Sequence, residues 1–120
     1  MKNLLVIVLM AVVSTANANN RWVETTDPVD LRIGSRNWID VNWSRHNNPN
    51  IRIYNYYGNY QDVEISQGVV QIDCKLKIAN IIFIQHTNKN TGAITKKEPT
   101  DWYSFHLFVN EYAPYRLICG

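Results

Sequence analysis

The sequence predicts an α+β fold that is predominantly antiparallel β, a single twisted sheet with a short C-terminal helix tethered by a disulfide. Three observations predict it. Apolar and polar residues alternate with period two over several blocks, the only two cysteines are Cys74 and Cys119, and the N-terminus carries the pattern of an export signal. Period two marks a strand with one buried and one wet face.

The export pattern comes first in the chain. Lys2 gives a positive start, Leu4 to Val13 is unbroken apolar sequence, and Ala16-Asn17-Ala18 offers a signal-peptidase site before Asn19. The apolar run is ten residues long, whereas a membrane-crossing helix needs about 20. Residues 1–18 are therefore read as a cleaved signal peptide and residues 19–120 as one β-rich domain. No cysteine follows the cleavage point, so there is no acceptor for an N-terminal lipid. The expected location is the periplasm, the cell surface or the medium. Removing Lys2 from the twelve Lys and Arg leaves eleven against ten Asp and Glu. That balance gives no steering toward nucleic acid, and no transmembrane segment remains after cleavage.

Each later block has a local reason. Arg21 to Thr26 reads as a first strand, broken by Asp27-Pro28 because proline lacks an N–H to donate. Asn37 to Trp43 alternates, with Ile39, Val41 and Trp43 on one side and Trp38, Asp40 and Asn42 on the other. His46 to Asn50 is dense in turn formers. Ile51 to Tyr57 alternates again and is expected to stop at Gly58-Asn59. The strongest strand signal runs from Val69 to Thr87. It sets Val70, Ile72, Cys74, Leu76 and Ile78 opposite Gln71, Asp73, Lys75 and Lys77, with a bend expected near Ala79-Asn80 because the run is long. Asn88 to Ala93 reads as a turn, Ile94 to Lys97 as the returning strand, and Pro99 as its end. Thr100 to Val109 reads either as a strand around Trp102 to Leu107 or as a helix capped by Thr100 or Asp101. Asn110 is placed to cap a terminal helix.

In an oxidising compartment a lone pair of cysteines is most simply a disulfide. Closing about 45 residues, it contributes roughly 3–4 kcal/mol by the loop-entropy relation. Cys74 lies on the apolar side of the best strand and Cys119 is the penultimate residue, so the bridge pins the tail across the buried face.

Taken together, these residues resemble a family. An early Trp22-Val23, a strand with Trp38-Ile39-Asp40, an Asn/Tyr-rich middle strand, Asp73-Cys74-Lys75-Leu76-Lys77-Ile78, Thr91-Gly92-Ala93-Ile94, Trp102 and a terminal cysteine follow one another as in the surface-adhesin protein E family of small exported bacterial proteins. The resemblance spans essentially all of residues 19–120. It implies an antiparallel sheet with a C-terminal helix tethered by Cys74–Cys119, and adhesive binding of host extracellular proteins by the founding member. The chain departs from adhesive members that carry a lipid anchor. No binding segment matches residue by residue, so no contact residue carries over.

Candidate chemistry is sparse. His46, His86 and His106, with Lys75 or Lys96 as an electrophilic partner, suggest a hydrolase only if two of them converge on one reacting centre. Asp40 and Asp73 read as solvated carboxylates on wet strand faces. Asp62 and Glu64 share a strand face but lack the dense oxygen set that calcium requires. No catalytic, cofactor or metal residues are assigned. The segment Asn47 to Tyr60 has the Tyr/Asn composition of recognition loops. With Ile51 and Ile53 turned to the core, Arg52, Tyr54 and Tyr56 are expected outside as a partner-binding surface. The reading is a non-enzymatic binding domain for a protein or other extracellular macromolecule, with a sheet edge available for a homodimer. The alternative is a periplasmic enzyme inhibitor or accessory factor, for example lysozyme-inhibitor-like, acting through Asn88 to Gly92.

Overall fold

The computed structural model describes residues 21–120; the expected signal peptide lies outside the described residues. Six strands pair in the order β1 (Trp22–Glu24), β2 (Ser35–Asp40), β4 (Ile51–Tyr60), β5 (Glu64–Asp73), β6 (Ile78–Asn88), β7 (Ile94–Lys97), all antiparallel. Two short strands complete the sheet: β3 (Ser44–Arg45) on β4 and β8 (Tyr103–Ser104) on β6. The fold is mostly antiparallel β with few short helices, and the sheet is open. No helix among the described residues is long and apolar enough to cross a membrane.

β1 ends at Glu24, and the Asp27-Pro28 pair that follows starts a helix, α1 (Pro28–Arg32). The Asp27 carboxylate accepts the Asp30 N–H, and Pro28 sits in the first turn, where its missing donor costs nothing. β4 does not stop at Gly58 but continues to Tyr60. A Cβ on Gly58 would lie 2.8 Å from the Tyr56 hydroxyl and 3.1 Å from that of Tyr60, so glycine is there for the close approach of two phenols. The hairpin to β5 turns at Gln61 and Asp62, both with positive φ. Asp62 therefore lies in a turn, where it meets Lys89, and shares no strand face with Glu64.

The long apolar run is a hairpin rather than one bent strand. Asp73 ends β5, and its Oδ1 accepts the N–H groups of Lys75 and Leu76, both at 2.9 Å. Lys77, at φ 60°, brings the chain back into β6. Leu76, expected in the core, is 62% exposed at this turn. The irregularity falls at Ile82, the residue skipped where pairing passes from Val69–Phe83 to Val70–Ile81. It is a bulge in β6.

The register fixes two faces. One carries Ile39, Tyr54, Tyr56, Val70, Ile72 and Ala79, and the whole buried core lies on it: Ile39, Tyr54, Val70, Ile72 and Ala79 from the sheet with Phe105 and Ile118 from the C-terminal segment. That segment consists of β8, a 3₁₀ turn (His106–Phe108) and a single π-helical turn (Tyr115–Cys119). Asn110 does not cap the terminal turn, which has no side-chain cap; the Asn110 carbonyl instead accepts from Arg116. Cys74 and Cys119 form a disulfide with Cα atoms 5.6 Å apart. Phe105 stacks on Tyr112 at 4.4 Å and tilts against Tyr115 at 5.7 Å. Arg52 lies over the Trp43 ring at 4.2 Å and donates to the Ile118 carbonyl. Bridge, aromatic cluster and arginine together hold the tail on the core face.

Candidate functional site

The expected surface of Arg52, Tyr54 and Tyr56 is not a surface. Tyr54 is 4% exposed and belongs to the core, Tyr56 packs against that core, and Arg52 is half-buried on the tail. The reason is cross-strand pairing. Tyr54 stands opposite Val70, Arg52 opposite Ile72 and Tyr56 opposite Ile39, and paired residues share a face. Once Ile39, Val70 and Ile72 face inward, the tyrosines follow and Ile53 and Tyr57 turn outward.

The face turned outward carries Trp38, Ile53, Tyr57, Ile65, Val69 and Phe83, all half-buried and none in the core cluster, among the buried polar side chains of Asp40, Gln67, Asp73, Asn80 and Gln85. Trp38 and Tyr57 are in ring contact at 5.5 Å, and Val69 stands opposite Phe83. Gln67 and Gln85 pair across the two central strands between them. Arg36 sits over Trp38 at 5.5 Å and is bound to Glu24 at 2.6 Å. That guanidinium and the Thr26 hydroxyl hold the Glu24 carboxyl below its ordinary pKa. The result is a half-buried apolar face around a buried glutamine pair, Gln67 at 7% and Gln85 at 4% exposure, with a basic fringe at Arg36 on one side and Lys96, opposite Gln85, on the other.

On the core face, the sheet and the tail flank a half-open cavity of about 450 Å³. Tyr54, Tyr56, Tyr60, Tyr103 and Tyr112 line it. Their hydroxyls meet in two groups: Tyr56 with Tyr60, and Tyr103 with Tyr112 at 2.8 Å, the latter also against Tyr54. Burial is the main reason that Tyr54, Tyr56 and Tyr112 are pushed well above the usual phenol range. Neighbouring hydroxyls add to this at Tyr56 and Tyr112, while the Tyr112 hydroxyl opposes it at Tyr54. Asp30 also raises Tyr56.

Two carboxylates expected in solvent are buried. Asp40 is 1% exposed and accepts from Arg21 Nε at 2.7 Å and from the Asn42 N–H at 2.9 Å. Asp73, 4% exposed, serves the hairpin turn. A buried carboxylate with such partners is structural.

The three histidines do not gather. His46 lies in the loop before β4 and accepts the Asn48 N–H. His86 lies on β6 with its Nδ1 at 2.6 Å from Ser66 Oγ and 2.8 Å from Glu64 Oε2. His106 follows β8, which pairs with the opposite end of β6 at Ile78 and Ala79. Eight residues of strand separate Ile78 from His86, about 26 Å at ~3.3 Å per residue. Serine and glutamate share one ring nitrogen of His86, so no relay passes through the ring. Among the described residues no three His, Cys, Asp or Glu side chains group to hold a metal. The 88–92 loop is tied to itself: Asn88 Oδ1 accepts from the N–H groups of Asn90 and Thr91, and Gly92 donates to the Asn88 carbonyl.

No known family profile matches the chain, and neither does any curated protein or solved structure.

Proposed function

We propose that the chain is an exported, non-enzymatic binding domain of the surface-adhesin E type, and that its open sheet face meets a host or other extracellular protein. One observation carries this reading: among the described residues the apolar core cluster lies on one face of the sheet, while the opposite face keeps Trp38, Tyr57, Val69 and Phe83 half-exposed and outside that cluster. Contiguous apolar patches on single domains mark interaction sites, and aromatic residues with a nearby arginine are what partner-binding surfaces concentrate. The disulfide accords with an oxidising compartment.

The test uses residues 19–120 over immobilised extracellular-matrix proteins, comparing the wild type with a Tyr57→Arg/Phe83→Arg pair. Saturable binding that falls at least tenfold in the pair, at an unchanged melting temperature, supports the reading. Equal binding by the pair overturns it. So does a dimer in sedimentation that the pair dissolves, since the face would then belong to a second copy. The inhibitor reading draws on one observation, the self-bonded 88–92 loop, which is pre-organised as an inhibitory tip would be. Loss of enzyme inhibition on replacing Asn90 and Thr91 by glycine would favour it.

A further inference from the structure

We propose that the tyrosine-lined cavity beneath the C-terminal segment binds an organic cation, an alkylammonium group carried either by a free amine or by a lysine side chain of a partner. The wall chemistry points one way. Five of the lining side chains are tyrosines, and an aromatic ring attracts a cation to its electron-rich face, the principle of aromatic cages for ammonium groups.

The charge around the cavity has a single sign. Asp27 and Glu111 line it, and Asp30 is close enough to act on Tyr56. No Lys, Arg or His is among the described residues that line it. None of these three carboxylates forms an ion pair among the described residues. Asp27 is fixed in place because it caps α1. An anion would enter against this charge with no cationic partner. A wholly apolar ligand would strip water from the carboxylates and phenols without replacing it. An ammonium group satisfies both: its charge meets the carboxylates, and its N–H or N–CH₃ groups meet phenol oxygens and ring faces.

The hydroxyls are suited to that task. The Tyr56–Tyr60 contact uses one hydrogen between two oxygens, and the Tyr103–Tyr112–Tyr54 group uses two among three, which leaves lone pairs for a donor. Tyr112 is held from one side by Phe105, so this part of the wall is pre-set. The cavity falls within the ~300–1,000 Å³ range of small-molecule sites.

The site is separate from the open sheet face, so the two proposals fail separately. The experiment is calorimetric titration of residues 19–120 with choline, with cadaverine, with Nα-acetyl-lysine methylamide, and with 3,3-dimethylbutanol as the uncharged isostere of choline. At least one cation should bind tenfold or more tightly than the isostere, and an Asp27→Asn/Glu111→Gln pair should weaken it at least fivefold. Asparagine still caps a helix, so the pair should fold, and an unchanged melting curve verifies that. The Tyr57→Arg/Phe83→Arg pair should bind the cation as the wild type does. Preference for the lysine derivative assigns the site to a partner's side chain, and preference for choline or cadaverine to a free amine. Equal binding of the isostere, no binding of any cation, or full affinity in the Asp27/Glu111 pair overturns the proposal.

Discussion

Replacing both Cys74 and Cys119 by serine cuts the tether without leaving a reactive thiol. The bridge spans 45 residues of sequence, and the loop-entropy relation gives about 4 kcal/mol for a loop of that size. For a domain near 100 residues, each kcal/mol moves the melting temperature by ~4–8 °C, so the variant should melt about 15–30 °C lower. The strand pairing of the sheet does not involve the bridge, so the sheet itself should persist, while the tail keeps only the burial of Ile118 and the Arg52 contact. Opening of the tail should then show as trypsin cleavage after Arg116, which is exposed on the terminal turn. The assay is circular-dichroism melting of the oxidised wild type and the double variant, with timed proteolysis of both. A fall of less than 5 °C with Arg116 equally resistant would refute the argument that the bridge holds the tail.

Three further outcomes follow from the same structure. Tyr54, Tyr56 and Tyr112 have folded-state pKa values raised above the ordinary value of 10.0. Their neutral form therefore supports the fold fully below about pH 10, and that support is lost as pH rises toward the raised values. Urea titrations between pH 8 and 11 should detect that loss as a progressively falling midpoint. Asp73→Ala should destabilise by ~1–3 kcal/mol, because the Lys75 and Leu76 N–H groups lose their acceptor; Asp73→Asn, which keeps an Oδ1, should recover more than half in the same titration. Gly58→Val should displace Tyr56 and Tyr60, whose hydroxyls lie where its Cβ must go. It should cost ~1–3 kcal/mol and raise tyrosine fluorescence quenching by iodide.

Much of the architecture was legible because it depends on local chemistry. Alternation placed Ile39, Val70 and Ile72 inward, and the cysteines announced the tether. The departures come from contacts that local alternation does not carry. Ile51 and Ile53 alone point the inward face of β4 the other way, whereas Tyr54 is turned inward by Val70 opposite it. The apolar run through Cys74, Leu76 and Ile78 kept period two across a turn, and only the Asp73 side chain, bonded to the following N–H groups, marks the break. Gly58 reads as a stop because a close approach of two phenols leaves no trace in local sequence. The cavity was illegible for the same reason: its tyrosines come from β4, β8 and the tail, and Asp27 from the cap of α1.

Hydroxyl-radical footprinting of residues 19–120, read residue by residue by mass spectrometry, tests most directly the division of the sheet into a covered and an open face. Trp38, Tyr57 and Phe83 should be modified readily in the native oxidised protein, with Tyr54 protected until the Cys74–Cys119 bridge is removed. Modification of Tyr54 as fast as Tyr57 in the intact protein would contradict the account.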